Sequence, residues 1–165
     1  MTTIVQTLSK VGSVIMNPTF LVAPENDLQG SLKKFDWHEK SIETKKLCFA
    51  VETNKDSKWI KLVKCIPAKT DQTLREIDKR GFIPMPSPYL LGLGIQHQAA
   101  VKKYRLIVSL DEENLLPNVY GPCFLCLCYE NEKFGPGLIQ KDGIGNNGEF
   151  CEDWWFAVIN KFHPF

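Results

Sequence analysis

TDQTLREIDKRGFIPMPSPYLLGLGIQHQAAVKKY, residues 70–104, carries the densest helix signals in the chain and predicts two helices joined at a proline-rich corner. Thr70 or Asp71 caps the first helix, whose apolar positions are Leu74 and Ile77. It closes at Lys79 and Arg80, with Gly81 just beyond, where a left-handed backbone favours glycine. Pro84, Pro86 and Pro88 hold their predecessors out of the helical region, so residues 82–86 run extended. Ser87 is the expected N-cap of the second helix and Pro88 its first position, where a missing N–H costs nothing. That helix is expected to reach about Lys102, with Leu90, Leu91, Ile95 and then Ala99 or Val101 on its buried side. Gly92 and Gly94 weaken it by about 1 kcal/mol each relative to alanine, which reads as room for the close approach of another element.

Outward from this pair, the periodicity shortens. Residues 3–7 and 13–22 alternate loosely and carry Val, Ile, Thr and Phe, so they read as strands broken at Asn17-Pro18. Residues 24–30 look like a turn-rich loop, and residues 31–46 are charged with little period. LCFAVET, residues 47–53, and WIKLVKCI, residues 59–66, read as a hairpin turned by residues 54–57, with Trp59, Lys61, Val63 and Cys65 on one face. After Tyr104 come a buried strand at RLIVSL, a loop at DEENLLPN and a strand at GPCFLCLCYEN. Residues 134–148 hold five glycines, so this segment is expected to turn repeatedly. WWFAVINKF closes the order as a strand. The result is an α+β class: a mixed, mostly antiparallel sheet with two helices in the middle of the chain, in a single globular domain spanning residues 1–165.

Composition narrows the function classes. With 165 residues the chain buries about two thirds of its unfolded surface around one core. Hydrophobic residues at 44% and charged residues at 24% exclude disordered and collagen-like chains. Twenty basic against nineteen acidic residues leave +1, so no whole-protein field attracts nucleic acid or anionic lipid. The uncharged runs at residues 11–23 and 81–100 are interrupted by Asn, Pro, Gly, Gln or His, which predicts no membrane span. The first twenty residues lack the pattern of an export signal, and a cytoplasmic location is expected. Six cysteines, Cys48, Cys65, Cys123, Cys126, Cys128 and Cys151, then read as reduced core residues, several of them in apolar strand-like runs.

No constellation demands a particular chemistry. Cys123 and Cys126 have CxxC spacing, yet on a strand they point to opposite faces, and neither Cys48 with Cys65 nor Cys151 with His163 supplies the second pair that zinc needs. Cys151, His97 or His163, and Asp153 supply the residue types of a nucleophilic triad without a nucleophile motif. His38, His97 and His163 read more plainly as solvated or edge-of-core residues. Gly143, Gly145 and Gly148 match a dinucleotide fingerprint, but the fragment leads into a strand rather than a helix. Asp142, Asn146, Asn147, Glu149, Glu152 and Asp153 offer oxygens to calcium at spacings unlike an EF-hand, so they read as turn residues and no cofactor is expected.

From Leu74 to Lys161 the order of parts is a helix, RGFIPMPSPYLLGLGIQHQ, RLIVSL, GPCFLCL, a glycine-rich loop and WWFAVINK. This layout resembles uncharacterised small bacterial proteins in which a Pro-Ala-Thr segment enters a Leu-Leu-Ala helix and a tryptophan precedes the last aliphatic strand. It also looks like the C-type lectin-like plan, with two helices ahead of a loop-rich sheet and a last strand that closes the domain. Met85-Pro86-Ser87-Pro88 replaces the usual motif, and the paired cysteines and calcium carboxylates of that plan are not evident.

These readings converge on a non-enzymatic recognition domain that binds a protein or carbohydrate partner. Alternation places Trp154, Phe156 and Val158 toward the core and leaves Trp155 for contact, beside Asp142, Asn146, Asn147, Glu149 and Asp153 of the glycine-rich loop. A homo-oligomer is open to the same surface. The alternatives are a hydrolase or transferase with a cysteine nucleophile, and a phage or mobile-element accessory protein that binds a host factor.

Overall fold

The computed structural model describes residues 17–43, 56–66, 68–118, 121–142 and 153–162. The predicted strands at residues 3–7 and 47–53, and with the latter the predicted hairpin partner of residues 59–66, lie outside these.

Strands β1 (Thr19–Val22), β2 (Lys58–Val63), β3 (Phe82–Pro84), β4 (Leu106–Val108), β5 (Leu116–Asn118), β6 (Gly121–Glu130), β7 (Lys133–Gln140) and β8 (Trp155–Asn160) form one sheet. Its order is β1-β2-β8-β4-β6-β5, with β3 beside β8 and β7 beside β6. Among the described residues only β4 and β8 pair in parallel, and the other pairings are antiparallel. The α+β class with a mixed, mostly antiparallel sheet is therefore what the chain adopts, and β8 lies mid-sheet. Strand β2 is shorter than expected and pairs with β1, Leu21 facing Trp59.

The glycine-rich segment departs from expectation. Instead of turning repeatedly from residue 134, the chain stays extended to Gln140 and pairs with β6 along its whole length. The turn lies earlier, at Asn131 (φ 51°) and Glu132 (φ 63°), a two-residue hairpin loop whose left-handed pair matches the twist of the strands. Gly135 and Gly137 are bare because something crosses them: a Cβ on Gly135 would overlap the Trp37 carbonyl, and Glu39 N–H donates to Pro136 O at 3.0 Å. Residues 35–39 thus strap the β7 edge.

Among the described residues there are also five helices: α1 (Leu28–Leu32), α2 (Lys40–Glu43), α3 (Thr70–Lys79), α4 (Ser87–Gln96) and α5 (Gln98–Val101). Asp27 caps α1 by accepting from Gly30 N–H at 3.0 Å, so the expected loop at residues 24–30 already holds a helix start. The N-cap of α3 is Lys69, one residue before the expected cap, with the Gln72 side chain accepting its N–H at 3.2 Å. Gly81 follows with φ 82°. Ser87 and Pro88 are the first two residues of α4; the cap residue is Pro86, and the side chain that caps is remote, Asp111 Oδ2 accepting Ser87 N–H at 2.8 Å. The helix stops short of Lys102. Gln96 bonds both N–H and C=O of Ala23, His97 Nε2 lies 2.8 Å from Leu21 O, and His97 takes φ −128°, which breaks the run before α5.

The two helices cover opposite faces of the sheet. Val63, Val108, Phe124, Cys126, Phe156 and Val158 pack under Ile77 and Leu74 of α3. Ile60, Leu62, Ile107, Leu125, Leu127 and Ala157 pack under Tyr89, Leu90, Leu91 and Leu93 of α4. Both sides of β8 are consequently covered, including the side carrying Ala157. Among the described residues no helix is long and apolar enough to cross a membrane.

Candidate functional site

Trp155 opens β8 opposite Ile107, half-buried against the α4 side of the core. The ring of Tyr104 meets it edge-on, centroids 4.9 Å apart at 71°, and Lys64 Nζ lies 5.0 Å from its centroid. Lys103 Nζ stands 5.2 Å from the Tyr104 ring and Lys102 Nζ 5.9 Å from that of Tyr129. Four separate elements supply this surface: the chain leaving β2, the 3₁₀ turn Lys102–Tyr104, β6 and β8. Arg105 ends the turn at φ 46°, a costly conformation for a residue with a Cβ, and its carbonyl accepts Tyr129 N–H at 2.8 Å. The rings supply contact area at low entropic cost and the ammoniums supply charge.

Of the other predicted contact residues, Asp153 is exposed two positions before Trp155, and Asp142 is exposed in the turn after β7. Asn146, Asn147 and Glu149 lie outside the described residues. Lys141 N–H bonds Pro122 O while Trp155 stands level with Leu127, so about five residues of strand, roughly 17 Å, separate Asp142 from Trp155 along the sheet. Asp142 instead neighbours Lys69, Thr70, Asp71 and Lys141. Among the described residues no group of three or more His, Cys, Asp or Glu is placed to hold a metal ion. His97 stacks tilted on Phe20 at 5.2 Å.

Cys65, Cys123, Cys126 and Cys128 are free thiols, the middle two buried and the outer two only partly so. Burial pushes the Cys65 thiol above its ordinary pKa. The informative spacing is not CxxC but Cys-Leu-Cys. Cys126 and Cys128 project from one side of β6 and bring their Sγ atoms within 3.4 Å. Cys128 borders two concavities, one of about 330 Å³ lined by Trp37, Glu130, Asn131 and Lys133, the other of about 520 Å³ reaching Arg105, Leu106 and Tyr129. A hydrogen bond from Cys126 holds the Cys128 thiol below its usual range, against burial and the Glu130 and Glu39 carboxylates. The same hydrogen bond and complete burial push Cys126 well up. Strand alternation predicts that residues 126 and 128 share a face; that Trp37, distant in sequence, would cover them has no local signal.

No family model matches the chain, and neither a curated protein nor a solved structure matches it.

Proposed function

We propose that the chain is a non-enzymatic recognition domain whose contact surface is centred on Trp155. The observation that carries this reading is the Trp155–Tyr104 ring pair with the Lys64 ammonium over it and Lys103 beside it. A sugar stacks on an open ring face, whereas the Trp155 face has a cation 5.0 Å away. That favours the protein alternative, and within it a segment whose carboxylates meet the lysines while its side chains pack on the rings. A net charge of only +1 makes this attraction local. The cysteine-nucleophile reading has less support: the carboxylates near Cys128, Glu130 and Glu39, act against its thiolate. Free thiols suit a cytoplasmic setting, where a host factor of the phage or mobile-element reading would also be met.

The test is fluorescence anisotropy with labelled peptides of alternating Glu and Tyr, and of alternating Lys and Tyr. The acidic peptide should bind, lose affinity with added salt, and lose about tenfold, or about 1.4 kcal/mol, in Lys64→Gln and in Trp155→Ala. Equal binding of both peptides, or affinity unchanged in both variants, removes Trp155 from the contact surface.

A further inference from the structure

The α3 side of β6 carries two thiols that the surface around Trp155 does not use. Cys126 is buried at 1% exposure and Cys128 half-buried outside it, 3.4 Å apart between sulfurs. Across the ladder, Gly137 faces Cys126 and Gly135 faces Cys128. A Cβ on Gly137 would stand 3.1 Å from Cys128 Sγ, 3.4 Å from Cys126 Sγ and 3.7 Å from the Trp37 ring. The two sulfurs therefore share a slot with a glycine floor and an indole wall, open at its outer end to the two concavities.

We propose that Cys126 and Cys128 form a redox dithiol, oxidised to an intrastrand disulfide by a small zwitterionic disulfide of the glutathione type. Cys128, at the opening, attacks as thiolate on one sulfur of R–S–S–R, forming a Cys128–S–R mixed disulfide and releasing RS⁻. Cys126 then loses its proton to solvent and attacks Cys128 Sγ, closing the Cys126–Cys128 bond and releasing the second RS⁻. Each released thiolate takes up a proton. The protein gives up two electrons and two protons, and R–S–S–R becomes two R–SH. The hydrogen bond from Cys126 that favours the Cys128 thiolate assigns these roles in that order.

The opening suits such an oxidant. Lys133 offers an ammonium to a carboxylate, Glu130 a carboxylate to an α-ammonium, and Asn131 both a donor and an acceptor, around about 330 Å³. The product is reversible by construction. Two strand rises separate the Cα atoms by about 6.6–6.8 Å, the upper limit of what a disulfide spans. A bond closed at that limit is strained and readily reduced, the behaviour of regulatory rather than structural disulfides.

The experiment incubates reduced, full-length protein with oxidised glutathione and follows intact mass and cysteine-containing peptides. Two of the six thiols should be lost, with a mass decrease of two hydrogens confined to the peptide holding Cys126 and Cys128, restored by dithiothreitol. Cys126→Ser should stall with one glutathionyl group on Cys128, and Cys128→Ser should lose the reaction at this peptide. Wild-type mapping alone decides the case if a variant does not fold. Oxidation elsewhere while this peptide stays reduced overturns the proposal, as does a wild-type adduct on Cys128 that never resolves.

Discussion

Helices α3 and α4 have ten residues each and are separated by little more than β3, yet they are opposite kinds of helix. In α3, Thr70, Thr73 and Ile77 are buried while Asp71, Gln72, Glu76, Asp78 and Lys79 face solvent. In α4, every residue from Ser87 to Gly94 is buried. A helix covering one face of a sheet at the surface needs one apolar stripe, and a helix enclosed between the sheet and the chain around Ala23 and Phe35 has no polar side at all. The lesson is that periodicity describes a lid well but only part of an enclosed helix: Leu90 and Leu91 were expected inward, whereas everything from Ser87 to Gly94 is buried.

The largest test of this contrast is Leu91→Ala. Leu91 is fully buried in the α4 cluster, and its truncation should destabilise the protein by about 2–5 kcal/mol, read as a shift in the urea midpoint. Arg75→Ala, on the outward side of α3, should stay within about 0.5 kcal/mol. Comparable losses would mean that α4 is no more enclosed than α3.

The N-termini differ in the same sense. Asp111 is 8% exposed and its carboxylate accepts Ser87 N–H, Glu113 N–H at 3.2 Å and the Asn114 side chain at 2.6 Å. Asp111→Ala strands the buried Ser87 N–H that opens α4 and should cost about 1.5–3 kcal/mol, the range for hydrogen bonds to a charged group. Asp71→Ala, in the solvated first turn of α3, should cost a few tenths at most. A double measurement by thermal and chemical unfolding that ranks Asp71 above Asp111 contradicts the remote cap.

What the sequence made legible follows local physics. Gly81 marks the end of α3 and Pro88 the beginning of α4 because each acts on its own backbone. The end of α4 was not legible, since Gln96 and His97 stop it by bonding residues 21–23, more than seventy positions away. Gly135 and Gly137 read as turn formers because the Trp37 strap that requires them lies a hundred residues earlier. Trp155 was legible as a strand aromatic near the end of the chain. Its partners Tyr104 and Lys64 meet it only through the sheet order, in which β8 lies between β2 and β4.

The smallest effect concerns the side of α3 that faces the β7 turn. Thr70 Oγ1 donates to Lys141 O, and Lys141 Nζ bonds Glu112 at 2.7 Å, tying the start of α3 to both the turn and the second 3₁₀ segment, Glu112–Asn114. The hydrogen bond to Glu112 raises the Lys141 pKa above that of the unfolded chain. A raised cation pKa contributes stability that is fully present below the unfolded value, about 10.4, and fades as pH rises through the higher folded one. The pair is open to solvent, so Lys141→Met should cost under about 1 kcal/mol at neutral pH, less still at high salt. The difference between wild type and Lys141→Met in urea midpoints should hold from pH 7 to 9 and shrink above the lysine range. A cost that survives both molar salt and strong alkali would assign the effect to packing around Thr70, and would make this side of α3 as tightly held as α4.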